Sequence, residues 1–525
     1  MSESNFKTPG VYINELNAFP NSVVAVPTAV PAFVGYTPQA ECQGESCLGK
    51  AQKVTSFADF KSIYGFPDPA APADPAIQYS PRYYLLETTK KTGRIDDLTI
   101  NGRSYIVRPD PNTIYYFYNS IRMFYENGGG DAYIVSVGSY GAPSGIPAPE
   151  GTQIRNPNVK LADLQRGIAL LKNEAEPTMY VCPEATLLSV EDNGALMQTM
   201  LLQCQEMRSA LSIFDVIGGR DPDPMTYRND IETFRNHTGS QGLQFGVCYY
   251  PFVGTTIVRP GEINYTNLFG GDIKQLAALL NPTADPNPGA ASILAAIETP
   301  PAKPLTVSQY DQALKAASPA YTAIAKHLLD EVNILPPSGA IPGVYQMNDS
   351  TSGVWTAPAN TGILGVRSLT IELSDSEQQF LNVDAISGKS VNAIRTFIGR
   401  GIVIWGARTL DGNSQEWRYI PARRLMSMIE QSCKFAIQAY VFAPNTSNTW
   451  ISIRSMLNNF LINIWKQGGL QGTTAAEAFR VECGLGTTMT QDDVLNGILN
   501  ITIMVAVVRP AEFMILNFSQ QMQES

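Results

Sequence analysis

The segment "SGKSVNAIR" at 387–395 places a glycine, a lysine and a serine together, as the second half of a phosphate-binding loop does. Such a loop also needs a glycine five residues before Gly388, so that backbone amides can wrap a phosphate, and Val383 stands there. The expectation is a plain strand-to-helix turn without nucleotide. "NGGGDAY" at 127–133 lacks the spaced glycines of a dinucleotide fingerprint. It follows a helical pattern and precedes a strand, so it reads as a helix C-cap turn. The two histidines, His237 and His327, lie far apart and outside any HExxH pattern. No G-x-S-x-G elbow occurs. Asp96-Asp97 reads as a solvated turn, and Asp492-Asp493 as the acidic first turn of a short helix. No catalytic, cofactor-binding or metal-binding set emerges, and the expectation is that the chain is not an enzyme.

The elements that would carry any site are better marked. The chain has 525 residues, 44% hydrophobic and 16% charged, against about 25% charged in ordinary soluble domains. Either a large compact core or extensive burial against partners explains that balance. A net charge of -10 opposes nucleic-acid binding. "MSESNFKTPG" has no signal-peptide pattern, and "ITIMVAVV" is too short to span a bilayer, so synthesis as a soluble cytoplasmic chain is expected, with no direct membrane insertion. Seven scattered cysteines read as mostly reduced, buried thiols.

Both ends of the chain look extended. "TPGVYINEL" alternates around Val11 and Ile13 behind a helix-blocking Pro9-Gly10. In "EFMILNFSQQMQES", Phe513, Ile515 and Asn517 alternate with Met514, Leu516 and Phe518, apolar on both faces. Such a strand is an aggregation hazard unless something pairs with it. "SFADFKSIYG" reads as a short helix capped by Ser56 and stopped by Gly65. "IYYFYNSIRMFYENGGG" reads as an amphipathic helix leading into the strand "DAYIVSVG". The linker "GAPSGIPAPEGTQIRNP" marks a boundary. After it, "TMYVCPE", "SIFDVI" and "FGVCYYPF" alternate with helices near 194–209 and 226–237, the rhythm of βαβ units on a parallel sheet. The Pro-rich stretch 281–304 and "NILPPSGAIPGVY" read as loops around a helix near 319–330. Further on come the strand "GIVIWGARTL" and helices near 422–442 and 449–467, the second with Trp450, Ile453, Leu457, Phe460, Leu461 and Ile464 on one stripe. "AFRVEC" and "ILNITIMVAVV" complete the chain as two strands of a hairpin.

The ordered phrases "PPSGAIPGVY", "GVWTAPAN", "AIRTFIGRGIVIWGARTL", "WRYIPARRL", "VFAPNTSNTW" and "VRPAEFMILNF" resemble contractile tail sheath proteins densely over about 335–518. "TPGVYINE", "PAFVGYT" and "YENGGGDAYIVSV" are similar to the same family, while about 140–330 matches more loosely. The resemblance implies a mixed α/β (α+β) fold: a discontinuous inner sheath domain (26–140 plus 340–510), an inserted outer α/β domain (141–339), and N- and C-terminal linking arms (1–25 and 511–525). It implies a structural subunit that polymerises with its own copies as stacked six-membered rings around an inner tube protein. Contraction then drives the tube through a target envelope, with baseplate and terminal cap proteins as further partners. The particle would be a phage tail, a pyocin or an extracellular injection system, remaining in the cytoplasm or released. Strand addition would link subunits. Val11, Tyr12, Ile13, Asn14 and Glu15 from one neighbour and Phe513, Met514, Ile515, Leu516 and Phe518 from another would join a receiving sheet bearing Phe479, Val481, Ile501, Ile503, Val505 and Val507. No cofactor is implied. The helix at 449–467 or that at 422–442 is a candidate to face the tube, with plain core as the equal alternative for both. The alternatives are an oligomeric α/β enzyme of unknown substrate and another tube or shell protein.

Overall fold

The computed structural model describes residues 22–66, 81–88 and 98–515. The chain forms two compact units, one from Pro27–Ser427 with the segment from Arg509 onward, the other from Met428–Val508 with the segment ending at Val26.

The larger unit is built on a nine-stranded sheet. In chain order its strands are β1 (Pro31–Thr37), β2 (Ala51–Val54), β3 (Ala132–Ser139), β4 (Met179–Val181), β5 (Leu211–Asp215), β6 (Gly246–Tyr250), β7 (Thr361–Gly362), β8 (Asn392–Phe397) and β9 (Gly401–Ile404). They lie side by side as β7-β9-β8-β6-β5-β4-β1-β3-β2. The six central strands from β8 to β3 run parallel, and antiparallel pairs close both sides. β1, β4, β5 and β6 are buried at every position. That suits strands covered on both faces by crossover helices and explains their unbroken apolar runs.

Local signals held where they were strongest. Helix α1 (Phe57–Tyr64) is capped by the Ser56 hydroxyl, which accepts from the Asp59 amide. Helix α2 (Phe117–Glu126) ends at Asn127, and Gly128 follows with φ of 88°. Helices α3 (Val190–Met207) and α4 (Tyr227–His237) are the crossovers between β4, β5 and β6.

Five readings are corrected. The expected boundaries near 140 and 339 do not divide the chain: β4, β5 and β6 lie between β1 and β8, and Pro31 registers against Met179. Strands buried on both faces take neighbours from both flanks rather than leave open edges. The Pro/Gly stretch read as a linker is tied down instead. The Arg108 guanidinium donates to the carbonyls of Pro149 and Thr152 at 2.9 and 2.7 Å, and Asp110 accepts from the Gly145 amide at 2.8 Å. Within 281–304, Pro288–Glu298 is a helix begun by Asn287, whose side chain accepts from Ala290 N at 3.0 Å. "NILPPSGAIPGVY" runs into the helix Ile341–Ser352, where Pro342 occupies the first turn and needs no amide partner. Finally, Gly388–Ser390 follows helix α5 (Asp375–Asn382) and precedes β8, the reverse of a strand-to-helix turn.

The smaller unit holds the last part of helix α6 (Ile420–Gln438), helix α7 (Ser447–Lys466), and the strands β10 (Phe479–Glu482) and β11 (Thr502–Val505). Ile453, Met456, Leu457, Phe460, Leu461 and Ile464 of α7 are buried as one stripe. Trp450, expected on that stripe, is half-buried, and its indole N–H donates to Asn445 Oδ1 at 2.6 Å. The Val26 amide donates to Ser432 Oγ at 3.0 Å.

Candidate assembly surface

β10 and β11 pair antiparallel with Phe479 opposite Val505 and Val481 opposite Ile503. Phe479 and Val481 are buried, against a helix-bearing side that includes α7, while Arg480 and Met504 point to solvent. Ile501, Ile503, Val505 and Val507 are half-buried. Val507 bridges to Leu470, and the Gln471 amide donates to the Ala506 carbonyl at 2.7 Å. Among the described residues this sheet has two strands. An isolated pair is marginal, and an edge offers backbone groups to a further strand. The residues expected to receive further strands thus lie together on one hairpin.

Of the C-terminal arm, Phe513, Met514 and Ile515 are described and are 71%, 82% and 82% exposed. Leu516 and Phe518, and the N-terminal set Val11, Tyr12, Ile13, Asn14 and Glu15, lie outside the described residues.

Within the larger unit, charged clusters that sequence reading missed hold Glu512 and Thr28. Glu512 takes two prongs from Arg408, with Nε to Oε1 at 2.9 Å and Nη2 to Oε2 at 2.7 Å. Asn382 Nδ2 donates to Oε1 at 2.8 Å and the Tyr419 hydroxyl to Oε2 at 3.0 Å. Burial alone would raise the Glu512 pKa, but the donors Arg408 and Asn382 outweigh it and hold the carboxyl below its usual range. At the other end of the chain, Arg424 donates to both Asp349 oxygens at 2.9 and 2.5 Å and to the Thr28 carbonyl at 3.0 Å. The Thr28 hydroxyl also donates to Asp349, and Arg424 lies over the Tyr345 ring, 4.5 Å from its centre. These pairs are separated by so much sequence that no local pattern announces them.

The residues that looked capable of chemistry have structural duties. Lys389 is buried and donates its Nζ to the Arg235 carbonyl, while Arg235 Nε donates to the Lys389 carbonyl at 3.0 Å. Burial lowers the Lys389 pKa. His237 Nδ1 lies 2.8 Å from the Thr233 carbonyl, one helical turn back. Two buried carboxyls sit where β4 and β5 end. Burial pushes Glu184 up to about 8 against the opposing hydrogen bond from the Tyr36 amide at 2.8 Å. Asp215 is pushed up to about 7 by burial, against donation from the Ser338 hydroxyl and amide at 2.5 and 2.9 Å. Nearby, a cavity of about 290 Å³ is lined by Arg108, Arg220, Asp221 and Asp230 among others. Its cations are already paired, Arg108 with Asp221 at 3.2 Å and Arg220 with Glu331 at 3.1 Å. All seven cysteines are free thiols, six of them buried. Among the described residues, no helix is long and apolar enough to cross a membrane, and no group of three His, Cys, Asp or Glu is placed to hold a metal.

Comparison with known proteins finds similarity to sheath proteins. Residues 413–521 match the family model of the phage tail sheath C-terminal domain. A tail sheath protein of Vibrio phage KVP40 is 29% identical over 152 residues, 28% of this chain, and the match spans about a fifth (21%) of that relative's length. The helical sheath of the anti-feeding prophage in its contracted state superposes with a TM-score of 0.58 at 25% identity, covering 98% of this chain and 99% of that one. The contracted PVC sheath of an extracellular contractile injection system gives 0.58 at 23% identity, covering 99% of both chains, which speaks for the fold. A chain of the anti-feeding prophage baseplate structure gives 0.56 at 25% identity, covering 98% and 99%. Residues 413–521 thus match the phage tail sheath C-terminal domain, and the described residues form a mixed α/β fold similar to that of contractile sheath structures.

Proposed function

We propose that this protein is the structural subunit of a contractile sheath in a phage tail-like particle, with no catalytic role. The observation that carries this reading is the near-complete overlap with a contracted helical sheath at 25% identity. The exposed Phe513–Ile515 segment and the two-stranded β10–β11 sheet support it from the residues upward. In this reading the arm of one copy pairs with the hairpin of another, and Val11–Glu15 of a third adds a further strand. Backbone bonds then supply the affinity and alternate side chains the register. Subunits stack as six-membered rings around an inner tube, between a baseplate and a cap. The extended polymer is metastable, and contraction buries further surface between subunits. At roughly 25 cal/mol per Å², a few hundred Å² of apolar area per subunit gives several kcal/mol, multiplied along the polymer without nucleotide.

Negative-stain microscopy of the purified protein tests the proposal. Wide hollow cylinders are expected. Discrete particles that never polymerise at any concentration would count against it.

A further inference from the structure

Of the described residues that follow the hairpin of the smaller unit, 509–515 belong to the larger one. What holds the arm's root in that unit is Glu512, and what holds Glu512 is Arg408. The Arg408 side chain is 5% exposed and that of Glu512 20%. The next three residues are more than two-thirds exposed. Burial therefore stops abruptly at one carboxylate.

Arg408 is itself fixed from the other side. Its amide donates to Asn392 Oδ1 at 2.8 Å, and Asn392 Nδ2 donates back to the Arg408 carbonyl at 2.8 Å. Asn392 is fully buried at the start of β8, and its Nδ2 also donates to the Cys248 carbonyl of β6 at 3.1 Å. A continuous chain of hydrogen bonds thus runs from the central sheet through Asn392 and Arg408 to Glu512. The planar guanidinium engages the carboxylate with two parallel bonds, which fixes direction as well as distance. Asn382 at the end of α5 and Tyr419 beside α6 supply the remaining donors, so the carboxylate meets protein donors on both oxygens.

We propose that Arg408 is a positioning residue for assembly: through Glu512 it sets the exit point and direction of the C-terminal arm and passes any pull on that arm to the central sheet. The inference rests on the sheath reading above and deepens it. A strand that must meet another copy's hairpin in register gains from a fixed root, because a loose root enlarges the volume its tip explores. A pull during contraction would otherwise be taken up by the two-stranded hairpin alone.

The test uses the full-length, unassembled subunit and the glutamate-specific endoproteinase that cuts after Glu512, with exposed Glu298 as the reference site. In the native chain the clamp protects Glu512. Arg408→Met is expected to raise cleavage at Glu512 about tenfold or more, consistent with loss of a charge-assisted bond, with Glu298 unchanged. Microscopy of the same variant should show sheath formation lost or reduced to short, irregular stacks. Arg408→Lys, which keeps the charge and loses the fork, should fall between. Tyr419→Phe is the milder variant should Arg408→Met fail to fold: cleavage at Glu512 rises and melting stays near wild type. Equal cleavage in wild type and variants overturns the clamp. Faster cleavage with normal sheaths overturns the positioning role. A wild-type protein that forms no polymer overturns the sheath reading instead, and cleavage at Glu512 still decides the clamp.

Discussion

Arg408 and Glu512, 104 residues apart in the chain, form a two-pronged ion pair at the root of the C-terminal arm. The pair is nearly enclosed, so its partners are not interchangeable with water. Removing one partner from such a site costs more than the pair itself contributes, because the other charge is left buried.

The carboxyl's depressed pKa gives the pair a pH signature. A carboxylate held below its unfolded value adds stability above that value, and the contribution is lost as pH falls through the folded value. Glu512→Gln should therefore lower stability at neutral pH by about 1–3 kcal/mol. The gap between wild type and variant should close in acid, below the usual glutamate range. Thermal melts of both proteins from neutral to acid pH check this. A gap that is constant with pH would contradict it.

The same pair decides where the chain can be cut. Removal of Phe513–Ser525 leaves Glu512 in place, and the subunit should keep its melting temperature while losing polymerisation. Removal of Glu512–Ser525 strands the Arg408 guanidinium in a site 5% exposed and should cost about 3–5 kcal/mol. Circular dichroism melts of the two truncations, side by side, read the difference. If both melt alike, the root is not held as described.

Much of the fold was legible because its signals are local. Ser56 and Asp59 sit at capping distance, α7 carries its buried stripe at helical spacing, and Phe479 and Val481 alternate as a half-buried strand must. What escaped was set by distant partners. Nothing near Pro149 or Thr152 tells that Arg108 will satisfy their carbonyls, so the segment reads as a linker. Pro342 and Gly343 read as loop, although proline suits a first helical turn. Glu512 looks like one more polar residue before an apolar strand until Arg408, Asn382 and Tyr419 are seen around it. The β10–β11 pairing was legible, but the partners of Glu512 and Thr28 were not.

Lys389 gives a prediction of opposite kind to the one its motif suggests. Its ammonium is turned inward onto the Arg235 carbonyl, and Asp384 lies 3.6 Å from Arg235 in the same cluster. Neither ATP nor GTP should bind at micromolar concentration by calorimetry. Lys389→Ala should instead lower stability by about 1–3 kcal/mol, the cost of leaving a buried acceptor unmet. Micromolar nucleotide affinity lost in that variant would reverse this reading.

Ile515→Pro isolates the arm's pairing from everything else. Ile515 is 82% exposed, and the residues around it, Phe513 and Met514, are exposed as well, so the substitution removes nothing from the subunit's own core. Its effect on the melting temperature of the unassembled protein should be that of an ordinary surface change, within about 0.5 kcal/mol. In a polymer the same change removes one ladder donor and places a ring where a neighbouring strand would lie. Each lost backbone bond is worth about 0.5–1.5 kcal/mol net, and the loss repeats at every link along the sheath. Sedimentation should show a higher concentration threshold for polymerisation, and microscopy should show fewer and shorter cylinders. Ile515→Val, which keeps a β-branched side chain and the amide, should assemble as wild type does. Polymers of normal length from Ile515→Pro would mean that this strand does not pair between copies, and a lowered melting temperature of the free subunit would mean that it pairs within one.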